Sequence, residues 1–76
     1  MLEKIKERLE ADLYIEIDEL TPETKFTDLG ADSLDMLNLV MEIEEEKGIM
    51  FDTNELAEIK TIGELMAIFE REGIEL

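Results

Sequence analysis

The chain has 76 residues, 45% of them hydrophobic, with no cysteine and no histidine. That suffices for one small core in a single domain, 1–76, without disulfides or thiolate metal sites, and is too little for a deep enzyme cleft. Seven basic residues against twenty-two acidic ones leave a net charge of −15, which repels nucleic acid and anionic membranes and attracts basic patches on protein partners.

Leu2, Ile5, Leu9 and Leu13 recur at helical spacing, which predicts an amphipathic helix from residue 2 to about 13. Its opening residues, Met1 to Arg8, mix charges and lack the apolar h-region of a signal peptide, so a soluble cytoplasmic protein is expected. Residues 14 to 31 lose the helical period. Leu13, Ile15 and Ile17 alternate as a strand would, but no partner strand is apparent. A long loop pinned by its apolar residues is expected instead, turning at Pro22 and Gly30.

A second helix is predicted over residues 33 to 47, stopped by Gly48 with Ile49 as its hydrophobic contact. Asp52 or Thr53 can cap a short turn over Asn54 to Ala57. Thr61 and Glu64 form a capping box for a last helix, packed through Ile62, Leu65, Met66 and Phe69 and closed by Gly73 and Ile74. These elements make the fold class all-α: a small antiparallel bundle of three main helices plus one short one, with a long first loop.

The start of the second helix is the most informative stretch. Asp32 is the natural N-cap, and Asp35, three residues on, completes a capping box. Ser33 then occupies the first helical position with a hydroxyl that capping does not need. Were Ser33 the cap, Met36 would stand where a carboxylate must reach back. An uncommitted hydroxyl beside free helix-end N–H groups suits covalent attachment of a phosphate-linked group.

This helix carries two apolar stripes where a bundle helix needs one. Met36, Leu39, Val40 and Ile43 form the first, expected in the core. Leu34, Leu37 and Met41 form the second, expected to face a partner. No Lys or Arg occurs between Lys25 and Lys47, while Asp28, Asp32, Asp35, Glu42, Glu44, Glu45 and Glu46 all fall there. That acidic block reads either as a solvated face or as a docking surface, and its coincidence with Ser33 favours docking. No apolar run exceeds five residues, a length that Leu37 to Met41 reaches only by including Asn38, so none is long enough to span a membrane.

Catalysis by Ser33 itself would need a base within reach, and the chain supplies no histidine. Asp28 to Leu39 fails as a calcium loop, with Leu39 at its twelfth position, and no glycine loop cradles phosphate. No metal site is expected. What remains is a serine on which other enzymes act, or a non-covalent acidic module that binds divalent ions weakly.

Leu29-Gly-Ala-Asp-Ser-Leu-Asp35 resembles the attachment motif of acyl carrier proteins, in which the serine carries covalent 4′-phosphopantetheine derived from coenzyme A. The likeness extends to Leu20–Phe26 before the motif and to Glu55–Gly63 between the last two helices. It implies a carrier, not an enzyme, that holds acyl chains as thioesters on an arm at Ser33 and delivers them to fatty-acid or related synthases. By the same resemblance, Asp32, Leu34, Asp35, Leu37, Met41, Glu44 and Glu45 would face partners. Those partners are a phosphopantetheinyl transferase and acyl synthase and transferase enzymes with basic patches, met by a monomer. Phe26, Leu39, Val40, Ile43, Ile59, Ile62 and Phe69 would line the core or an acyl cavity. Asn38 stands where the family commonly has Glu, and Met50-Phe51 where Ile-Pro is more usual. Both a general fatty-acid carrier and one dedicated to polyketide, lipid or aminoacyl transfer stay open.

Overall fold

A computed structural model describes residues 1–76, and every regular element in it is helical. Helix α1 spans Leu2–Leu13, α2 Ser33–Lys47, α3 Thr53–Leu56 and α4 Ile62–Arg71, with a 3-10 turn over Phe26–Leu29 in the first loop. Arg8 on α1 meets Glu46 and Glu42 on α2, while Asp12, one turn later, lies against Glu42. Advancing along α1 thus runs back along α2, so the two are antiparallel. No helix is long and apolar enough to cross a membrane.

The core contains seventeen buried residues, all hydrophobic. Ile5 and Leu9 enter from α1, and Met36, Leu39, Val40 and Ile43 from α2. Helix α4 buries Ile62, Leu65, Ile68 and Phe69. Ile68 joins the expected stripe, and Met66 packs against the core while half-buried. The short helix starts at Thr53, one residue before the expected Asn54, because Asp52 accepts the Asn54 N–H at 2.8 Å.

The expected loop after α1 is present, and what pins it is mostly backbone. Tyr14 leaves α1 in the left-handed region, with φ 56°. Ile17 and Leu20 turn inward, and the Ile17 N–H donates to Glu10 Oε2 at 2.9 Å. Beyond Pro22 the chain docks on the start of α4, where a helix has N–H groups without intrahelical partners. Thr24 O accepts from Ile62 N–H at 2.9 Å and Pro22 O from Gly63 N–H at 2.7 Å. Thr61 Oγ1 accepts from Glu64 N–H at 3.2 Å. A single antiparallel bridge, Lys25 with Thr61, extends this contact, and the Phe26 N–H donates to Lys60 O at 3.1 Å. The loop therefore completes the N-terminal cap of α4.

Candidate functional site

The 3-10 turn aims the chain into α2. Gly30, at φ 75°, donates its N–H to Thr27 O, and Ala31 donates to Phe26 O at 3.0 Å, which folds the turn shut over buried Phe26 and Ala31. Asp32 comes next as an extended N-cap. Its Oδ1 accepts the Asp35 N–H at 3.0 Å, and Asp35 Oδ2 accepts the Asp32 N–H at 3.0 Å. These reciprocal bonds satisfy two donors at the helix start.

Ser33 is the first residue of α2, exposed, and its hydroxyl makes no hydrogen bond. The Ser33 and Leu34 N–H groups also lack protein partners. An exposed hydroxyl is thus set among free backbone donors at the positive end of a fifteen-residue helix. The first-turn carboxylates hold the cap without occupying the hydroxyl.

Beside Ser33 a groove of about 750 Å³ opens between the first loop, α2 and α3. Its apolar walls are Phe26, Ala31, Met36, Leu37, Ala57 and Ile59. Ile59 is half-buried and serves as wall, whereas Leu39, Val40, Ile43, Ile62 and Phe69 are fully buried beneath it in the core. Leu37 lies between the two stripes of α2, half-buried and at the groove. The outer stripe is open to solvent: Leu34 is 69% and Met41 59% exposed.

The acidic face is not uniform. Glu45 is exposed, but Glu44 Oε2 accepts the Phe51 N–H at 2.7 Å and the residue is half-buried. That bond pins the segment after α2 and sets the Phe51 ring 5.7 Å from Phe69. Glu44 thus holds the fold through one carboxylate oxygen while it lines, with Met41 and Glu45, the shallow depression past the end of α2. Arg8 holds the Glu46 carboxyl below its ordinary value, whereas burial, reinforced by Asp12, raises Glu42. Glu64 is lowered by the Lys60 and Thr61 N–H groups it accepts.

Sequence patterning missed three groups. Met50 is 89% exposed and joins Met41 and Ile49 around a shallow depression past the end of α2. Lys25 and Lys60 both lie on the lip of the Ser33 groove. They are 35 positions apart, and the backbone pairing of the first loop with the start of α4 brings their segments together.

Comparison with known proteins is consistent across nearly the whole chain. The profile of the family described as "Phosphopantetheine attachment site" matches residues 3–69. The "Acyl carrier protein" of Thermotoga maritima is 38% identical over 69 residues, covering 90% of this chain and 85% of that protein. A helical bundle of this size, with an uncommitted serine at the head of its acidic second helix and a match of that extent, belongs to the phosphopantetheine-binding acyl carrier protein family.

Proposed function

We propose that Ser33 is the residue to which the 4′-phosphopantetheine arm is attached, and that partner enzymes dock on the exposed face of α2 around it. As a member of its family the chain carries acyl groups and is not itself a catalyst. The observation that supports Ser33 is its hydroxyl: exposed, without a hydrogen bond, at the first position of a helix capped by its neighbours. The local chemistry fits the group. The unpartnered Ser33 and Leu34 N–H groups and the helix dipole favour a phosphodiester there, and the groove alongside offers apolar wall to the remainder of the arm.

When attached, the arm supplies a thiol on which an acyl group is held as a thioester. The protein's own contribution is placement. Ser33 roots the arm at one fixed point, so any cargo reaches a docked partner at high effective concentration. Leu34 and Met41 give that partner apolar contact, and Asp32, Asp35 and Glu45 give it charge. Exposed charge pairs speed encounter more than they tighten binding, which suits a carrier that must leave each partner again.

The test is intact mass after incubation with coenzyme A and a phosphopantetheinyl transferase. The parent chain gains one arm; Ser33→Ala gains none and keeps its helical circular dichroism, because Asp32 and Asp35 still cap α2. A mass gain in Ser33→Ala refutes the assignment. No gain in the parent chain leaves a non-covalent acidic module as the better reading.

A further inference from the structure

Of the seven cations, Lys4, Arg8 and Arg71 have carboxylate partners. Lys6, Lys25, Lys47 and Lys60 have none within 4.0 Å, and of these only Lys25 and Lys60 line the groove beside Ser33. The nearby acids are engaged elsewhere. Asp28 Oδ2 accepts the Lys25 N–H at 3.2 Å, and Glu64 Oε1 accepts the Lys60 and Thr61 N–H groups at 2.9 Å. Glu64 is close enough to feel the charge of Lys60, yet it is held by the backbone.

These two lysines occupy neighbouring backbone segments. Lys25 bridges to Thr61, and the Phe26 N–H bonds Lys60 O. Both line the groove that also contains Ser33, and the one acid in its lining, Asp32, is spent on the helix cap. Like charges that line one groove repel, and an anion within reach of both would offset that repulsion. The groove thus presents two cations without a carboxylate contact, and it presents them beside the serine.

We infer that Lys25 and Lys60 form a two-point clamp for a singly charged oxyanion on the loaded arm, holding the arm down along the apolar wall of the groove. The inference rests on Ser33 being the attachment point. Two groups on a loaded arm have the required chemistry: the phosphodiester at its root, and a carboxylate at the far end of a dicarboxylic acyl cargo. A phosphodiester at Ser33 would stand beside the Asp32 and Asp35 carboxylates, and cations in the same groove would offset that repulsion. A purely hydrocarbon cargo offers the lysines nothing, so the clamp would favour acid-ended cargo wherever the carboxylate is the group it holds.

The test uses the whole chain, labelled with carbon-13 and nitrogen-15 at lysine. Side-chain lysine resonances are compared for the unloaded protein, the protein bearing the arm with a free thiol, and its butyryl and succinyl thioesters. Lys6 and Lys47 are equally without partners but lie outside the groove, so they serve as internal references. The expected result is a selective shift of Lys25 and Lys60. If it accompanies arm attachment, the phosphodiester is the clamped group. If it accompanies the succinyl but not the butyryl form, the cargo carboxylate is. Loss of the selective shift at Lys25 in a Lys60→Gln chain would show that the two act together. Equal movement of all four lysines, or none at any stage, overturns the clamp while the mass gain still reports attachment. Absence of the mass gain overturns the attachment and the clamp with it.

Discussion

Gly63→Ala sets two opposed effects against each other at one position. Gly63 is the second residue of α4, and in an ordinary exposed helix replacing glycine with alanine stabilises by up to about 1 kcal/mol. Here an added Cβ would lie 2.8 Å from Pro22 O and 3.1 Å from Pro22 Cβ. Backbone is the obstacle, so no flexible side chain can move aside. Either the loop retreats and the 2.7 Å bond from Gly63 N–H to Pro22 O is lost, or α4 shifts. Overpacking of this kind costs about 1–3 kcal/mol and a lost backbone bond about 1 kcal/mol, which together outweigh the propensity gain. We expect Gly63→Ala to destabilise the fold by about 1–3 kcal/mol. For a domain of this size that lowers the melting temperature by roughly 5–20 °C. Thermal melting by circular dichroism measures it, with amide exchange at Ile62 and Gly63 to locate the damage. The same loop carries Lys25 and Phe26 into the groove, so their resonances should move too. A variant as stable as the parent or more so would mean that Pro22 does not press on α4, and the account of the loop would fall.

The two stripes of α2 predict opposite phenotypes. Leu39→Ala removes a fully buried side chain and should cost about 2–5 kcal/mol. Leu34→Ala, at a side chain already 69% exposed, should cost less than about 1 kcal/mol yet weaken transferase docking more. Equal melts for the two would undo that division. For pH, burial raises the Glu42 carboxyl above its ordinary 4.5, so the folded state binds that proton more tightly and stability falls as pH rises through the raised value. Glu46, Glu55 and Glu64 are lowered, so what they contribute is present above 4.5 and lost as pH falls below it. The melting temperature should therefore rise as pH falls through the raised Glu42 value and then drop in stronger acid, below 4.5. Glu42→Gln should be more stable than the parent at neutral pH and flatten the upper limb; an unchanged profile refutes the role of Glu42. Arg71 clasps Glu55 on α3 through both carboxylate oxygens, at 2.8 and 2.5 Å. Arg71→Gln should speed amide exchange at Leu56 and Ala57 with little change in the global melt, and uniform exchange rates across the variant would count against a local clasp.

What could be read in the sequence was what is local. The Asp32–Asp35 and Thr61–Glu64 boxes are pairs three residues apart, and each side chain finds its partner within one helical turn. The glycine after α2 is equally plain, because φ of 67° at Gly48 favours that residue type. Residues without a signature stayed hidden. Pro22 O and Thr24 O cap α4 through carbonyls that every residue possesses, so no pattern of side chains announces the contact. Glu44 looked like one more surface acid because nothing in its spacing reveals the Phe51 N–H folded back onto it.

The arrangement separates what holds the fold from what the fold offers. Every residue that caps α2 lies beside Ser33, yet none uses its hydroxyl, so the proposed attachment there would leave the helix start unchanged. The groove wall is assembled from three segments with independent anchors: the loop on α4 by backbone bonds, α2 by its buried stripe, and α3 by Leu56 and the Arg71 clasp. Of these, α3 is the shortest, with a single buried residue and a solvent-exposed ion pair to hold it. Exposed pairs stabilise weakly, and short elements with few buried contacts open first. If a loaded cargo enters this groove and needs more room than it offers, α3 is the element expected to yield, while α1, α2 and α4 keep the core and the outer stripe of α2 in place.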